Sequence, residues 1–146
     1  MHLGQELIGI GIDSVAWSRM ERFLNRHPPE WVERLLSPTE QNFFRVASQK
    51  LQFFARSFAA KEAFFKASGG FWLGTEAGFR EIEIRMEEGP RFHVACDFRV
   101  EGKFFHTPNG IGARVLVWNN RRHYEAQRAE AIHEPRLFRR PRGSPQ

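Results

Sequence analysis

The sequence contains one cysteine, Cys96, so no disulfide can close within a single chain and nothing calls for an oxidising compartment. It also lacks any apolar run long enough to span a bilayer: the first, Leu7 to Ile12, is interrupted by Gly9 and Gly11 and stopped by Asp13. No basic stretch opens the chain, so neither secretion nor membrane insertion is indicated and a cytoplasmic location is expected. There is no internal repeat, which sets aside solenoid and propeller architectures.

What is present suits one domain: 146 residues, 41% of them hydrophobic. Phenylalanine is heavily used, with 15 residues, several of them on one segment. Such clustering points to a helix buried on more than one side or covered by a second copy. The formal net charge of +5 is unevenly placed. From Glu134 onward, Arg136, Arg139, Arg140 and Arg142 stand against one glutamate among prolines and small residues. This composition reads as a disordered basic tail, residues 134–146, following a single domain over residues 1–133. Nucleic-acid binding would rest on that tail alone and is not expected.

Leu7 to Ile12 reads as a buried strand that delivers Asp13 at its end, with Ser14 placed to cap a helix. In that helix Trp17, Met20, Phe23 and Leu24 fall on one face and Arg19, Arg22 and Arg26 on another, until His27-Pro28-Pro29 ends it. Trp31 to Leu36 suggests a short helix, and Ser37-Pro38-Thr39-Glu40 has the layout of a capping box. A longer helix is expected from about Gln49 to Ser68, closed by Gly69-Gly70. Glu81 to Met86, a Glu88-Gly89-Pro90 turn and Phe92 to Phe98 read as a hairpin; Ala113 to Trp118 is a further strand. His123 to Ile132 fits strand or helix. The fold class is therefore α+β, with helices mostly early and an antiparallel sheet mostly late.

The charges of the long helix do not follow amphipathicity. Leu51, Phe54, Phe58 and Phe65 share a stripe, and Glu62 lands inside it. A carboxylate there is costly unless it is paired, hydrogen bonded or bound to a cation. One account is an i,i+4 ion pair with Lys66 on a solvated face. The other has Glu62 facing a cleft and meeting Asp13, since two carboxylates plus water make a minimal magnesium site that also takes a substrate phosphate. Lys61 and Lys66 would then supply positive charge for that phosphate.

Gly9-Ile10-Gly11-Ile12-Asp13 followed by Arg19, and then Phe58-Ala59-Ala60-Lys61-Glu62-Ala63-Phe64-Phe65-Lys66-Ala67, resemble the two signature motifs of holo-acyl-carrier-protein synthases. Glu33 to Glu40 and Glu81 to Ile84 are similar to that family's intervening and following segments, so the likeness covers most of residues 7 to 125. It implies a 4′-phosphopantetheinyl transferase-like fold, helices packed on an antiparallel sheet, assembling as a homotrimer with sites between subunits. It implies transfer of 4′-phosphopantetheine from coenzyme A to a serine of an apo acyl-carrier protein. By the same resemblance Asp13 and Glu62 hold magnesium, Glu62 and Lys66 are catalytic, and Lys50, Arg56, Lys61, Lys66, Gly69 and Asn120 contact coenzyme A. Arg19, Arg22 and Arg26 correspond to the family's basic first helix, which docks acidic carrier proteins.

The chain departs from the family pattern in several places. Gly69-Gly70-Phe71 stands where a Gly-Thr-Gly loop is usual, and Ser57 where an arginine commonly precedes the second motif, with Arg56 one position earlier. Val117-Trp118-Asn119-Asn120 replaces a Ser-x-Ser-His segment, so an uncharged Asn120 takes the histidine's place while His123 lies nearby. Gly102 to Gly112 reads as a loop where the family has a helix. Two functions remain open on these grounds: an active transferase with an altered coenzyme A pocket, and a catalytically impaired homologue acting as a carrier-protein binding module.

Overall fold

The structure, a computed structural model, describes residues 5–69 and 78–120. Gly70, Phe71, His123, the segment His123 to Ile132 and the basic tail lie outside the described residues. Helices pack on one face of a five-stranded antiparallel sheet, so the expected α+β class and its helix-on-sheet arrangement hold.

Strand β1 (Gln5–Ala16) is longer than expected, so Asp13 lies inside it rather than at its end. Ser14 is paired within the sheet opposite Gly112 and caps nothing. Helix α1 (Trp17–Arg26) instead begins after Ala16 with no side-chain cap, and its first residue donates from Trp17 N to the Asn109 carbonyl at 3.0 Å. Its amphipathic division is as expected: Met20 is buried, Phe23 and Leu24 pack on the core, and Arg19, Arg22 and Arg26 are exposed.

The short second helix, α2 (Pro29–Glu33), starts earlier than the apolar residues suggest because proline is well suited to a first helical turn. Helix α3 (Pro38–Val46) opens with the full capping box. Ser37 Oγ accepts from Glu40 N at 3.2 Å, and Glu40 Oε2 accepts from Ser37 N at 2.9 Å.

Helix α4 (Lys50–Ala67) is the core element. The expected stripe of large residues does not define its buried face. Phe54 is buried, but Phe65 is exposed, and Leu51 and Phe58 are half-buried. Burial follows alanines at every fourth position instead: Ala55, Ala59, Ala63 and Ala67, flanked by Phe64. Small side chains allow the helix backbone to approach β1 closely. A Cβ on Gly9 would lie 1.7 Å from the Ala67 carbonyl oxygen, and one on Gly11 would lie 1.9 Å from that of Ala63. Gly69, just past the helix, has φ of 64°, the left-handed cap expected there.

A 3-10 turn at Phe79–Glu81 leads to β2 (Ile84–Met86), which pairs with β3 (Arg91–Val94). The hairpin is thus present but shorter than expected, because the chain bends after Val94. The segment read as a loop is strand: β4 (Arg99–Thr107) and β5 (Gly110–Asn120) form a long hairpin turning at Pro108 and Asn109. Phe104 is buried beneath α4's side of the sheet and Phe105 faces away, the period-2 alternation of a strand. The strand order is β1-β5-β4-β3-β2.

Candidate active site

The glycine–alanine seam decides what meets what. With β1 held against the helix backbone, Gly9, Gly11, Asp13 and Val15 face α4 on alternate positions, and Asp13 lies beside the helix's charged edge. Lys66 Nζ donates to Asp13 Oδ1 at 2.7 Å and to the Ile12 carbonyl at 3.3 Å. The i,i+4 pairing of Glu62 with Lys66 is therefore not the contact formed; the lysine reaches across to the strand.

Glu62 is half-buried and close enough to Asp13 to feel its charge. Burial, and then repulsion by Asp13, push its carboxyl above the ordinary carboxylate range, while Lys66 and Arg19 pull it partway back. Hydrogen bonding to Asp13, and then its charge, raise the Lys66 ammonium. Strand β1, α4 and α1 thus contribute Asp13, Glu62, Lys66 and Arg19 to one place.

The other expected contacts fall elsewhere. Lys61 is corrected outright: its side chain is fully buried, with Nζ 2.8 Å from Glu40 Oε2 and 2.7 Å from the Phe79 carbonyl, and so is not presented to a substrate phosphate. Burial pulls its ammonium below the usual lysine value and Glu40 partly restores it. Lys50 Nζ donates to the carbonyls of Phe44, Arg45 and Ala47, closing the end of α3. It stands sixteen positions from Lys66, about 24 Å along the helix. Arg56 lies against Phe104, its guanidinium carbon 5.8 Å from the ring centre. Gly69 is one turn beyond Lys66. Asn120 pairs with Gln5, eight residues up β1 from Asp13 and about 25 Å away. Within one chain it does not reach Asp13.

Arg19, Arg22 and Arg26 line a groove of about 320 Å³ with Met20, Phe23, Phe54 and Phe58 on its walls. Sequence reasoning missed the Glu40–Lys61 pair altogether. The alanine spacing and the paired glycines were visible signals of a close helix–strand contact that the phenylalanine pattern obscured.

Paired carboxylates and an ammonium at a helix–strand seam form a centre suited to a phosphate-bearing substrate and a hard cation. The chain belongs to the 4′-phosphopantetheinyl transferase superfamily, whose family model matches residues 9–127. Within it, the chain is 44% identical over 121 residues to a holo-[acyl-carrier-protein] synthase of Halorhodospira halophila, covering 81% of this chain and 91% of that one. It is 34% identical over 116 residues to that of Anoxybacillus flavithermus, covering 76% and 95%. Its fold matches the crystal structure of a Bacillus anthracis holo-(acyl-carrier-protein) synthase in complex with CoA (3′,5′-ADP), with TM-score 0.63, 30% identity, and 78% and 98% of the two chains covered. A Helicobacter pylori holo-[acyl-carrier-protein] synthase in complex with coenzyme A aligns with TM-score 0.56 at 27% identity, over 74% of this chain and 98% of that one. No described helix is long and apolar enough to cross a membrane.

Proposed function

We infer that this chain is a holo-acyl-carrier-protein synthase acting in the cytoplasm, transferring 4′-phosphopantetheine from coenzyme A to a serine hydroxyl of an apo acyl-carrier protein. The observation that carries this is the 2.7 Å contact of Lys66 with Asp13 beside Glu62, which unites the two sequence motifs in one site. The serine oxygen attacks the pantetheine-side phosphorus of the pyrophosphate, the bond to the bridging oxygen breaks, and adenosine 3′,5′-bisphosphate leaves. Glu62, whose carboxyl burial and Asp13 make a stronger base than an ordinary carboxylate, takes the serine proton. Lys66 offers positive charge to the phosphate oxygens on which charge develops.

Magnesium fits the donor set. Asp13 and Glu62 repel one another, and Lys66 answers only part of that charge. Among the described residues no third acidic, histidine or cysteine ligand joins them, as expected for an ion that keeps several waters and takes substrate phosphate oxygens. When bound, it would neutralise charge on the pyrophosphate.

The arginine-lined groove on α1 supports docking of an acidic carrier protein, with the half-buried Phe23 and Phe58 on its walls open to apolar anchors. Reversing Arg22 and Arg26 to glutamate is expected to raise the KM for the carrier by about 10- to 100-fold while leaving that for coenzyme A near its original value. Release of adenosine 3′,5′-bisphosphate measures both; an unchanged carrier KM would remove α1 from the docking surface.

The outward face of the sheet supports self-assembly. Ile10 and Ile12 are 59% and 58% exposed on the edge strand β1, with Leu7 and Ile8 exposed beside them and Trp118 and Leu116 on the adjoining strand. A row of exposed aliphatic side chains on an edge strand is the kind of surface a second copy covers. Packing three copies over it would also offer Asn120 of one subunit a route to another's site. Light scattering on the purified chain is expected to give a trimer, and the double variant Ile10→Glu/Ile12→Glu a monomer. A monomeric wild type would contradict the assembly.

A further inference from the structure

Helix α4 is held on its sheet side chiefly by contacts that fix distance. Alanine methyls and glycine backbone pack closely there, and the side-chain bonds from α4 to β1 are those of the half-exposed Lys66 to Asp13 and the Ile12 carbonyl, inside the site itself. A buried directional restraint lies on another side, at Lys61, whose ammonium meets Glu40 Oε2 at 2.8 Å and the Phe79 carbonyl at 2.7 Å with no exposure to solvent. Its anchor is itself clamped: the same Glu40 oxygen accepts from Ser37 N at 2.9 Å in the capping box of α3.

Lys61 and Glu62 are successive residues, about 100° apart around the helix. We propose that Lys61 is a positioning residue, its bonds to Glu40 and Phe79 setting the roll of α4 that turns Glu62 toward Asp13. This rests on the assignment of Glu62 as the proton acceptor. Glu62 lies on the helix surface, about 5–6 Å from the axis, so a roll of about 20° carries its carboxylate about 2 Å. Displacements of that size are enough to cost about 100-fold in rate. Stability alone would not need the pair, because apolar residues of similar volume commonly replace a buried ion pair without loss.

The test is the double variant Lys61→Met/Glu40→Gln, which removes both charges together, keeps a side-chain acceptor for the α3 cap and is expected to unfold near the wild-type Tm. Amide exchange over residues 61–67 is expected to be on the order of tenfold faster than in the wild type at matched Tm. The kcat is expected to fall about 10- to 100-fold with the KM for coenzyme A unchanged. Wild-type exchange in that segment would overturn the positioning role whatever the activity. Faster exchange in the variant, with no turnover by the wild type, would support the role and instead refute the transferase assignment. Should the double variant not fold, Lys61→Met alone, which removes both bonds of the lysine and leaves Glu40 its bond from Ser37 N, gives the same exchange comparison.

Discussion

Replacing Glu62 by glutamine is expected to lower turnover by about 10²- to 10⁴-fold, the range for loss of a general base, without lowering the unfolding temperature. The two effects separate because of what surrounds the side chain. Its carboxyl is raised by burial and by Asp13, so the folded state disfavours the charged form more than the unfolded state does. An uncharged isostere relieves that repulsion, and Tm should hold or rise slightly, as at other sites where function is retained at some cost in stability. Asp13→Asn differs: an Oδ1 acceptor remains for Lys66 but the carboxylate charge that pairs with it is lost, so activity falls and the lysine is held by a neutral hydrogen bond in place of an ion pair. Thermal unfolding measured beside steady-state rates distinguishes these outcomes. A Glu62→Gln protein that keeps full turnover would remove Glu62 from the chemistry.

Gly11→Val is expected to be severely disruptive to the fold. Even its first carbon would fall 1.9 Å from the Ala63 carbonyl oxygen, a helix backbone atom whose position is fixed by the neighbouring turns. Something must move, and the least costly shift lifts β1 from α4, opening the contact that brings Asp13 to Lys66. Overpacking of this kind costs about 3 kcal/mol or more, a large part of a typical total of about 5–15 kcal/mol. The variant should be largely insoluble or unfold at least about 10 °C below the wild type. Gly69→Ala is the control: no atom lies within 4 Å of the added carbon, and only the positive φ is strained, for about 1–2 kcal/mol. Equal Tm losses for the two would mean that β1 does not lie against α4 as described.

The parts of this molecule legible in the sequence are those set by near neighbours in the chain. The capping box at Ser37 and Glu40 and the left-handed glycine closing α4 depend on three or four consecutive residues, and both stand as expected. Asp13 and Glu62 were paired from a resemblance and from the oddity of an acid among phenylalanines, and the structure brings them together though the phenylalanine stripe itself does not hold. Lys61 was misread because local pattern shows a lysine beside an acid but not the Glu40 that waits for it on α3. Lys50 likewise looks free until the carbonyls at the end of α3 come into view. The β4–β5 hairpin is only half legible: Ala113 to Trp118 reads as strand, but Thr107-Pro108-Asn109-Gly110 makes the whole of Gly102 to Gly112 read as a loop, although only Pro108 and Asn109 form the turn.

The most direct measurement is the intact mass of an apo acyl-carrier protein after incubation with this protein, coenzyme A and magnesium, beside a chelator control and the Glu62→Gln variant. A mass gain of one phosphopantetheine that needs magnesium and is lost in the variant is the predicted result. No gain from the wild-type protein with any of several carrier proteins would contradict the transferase assignment and leave a carrier-binding module in its place.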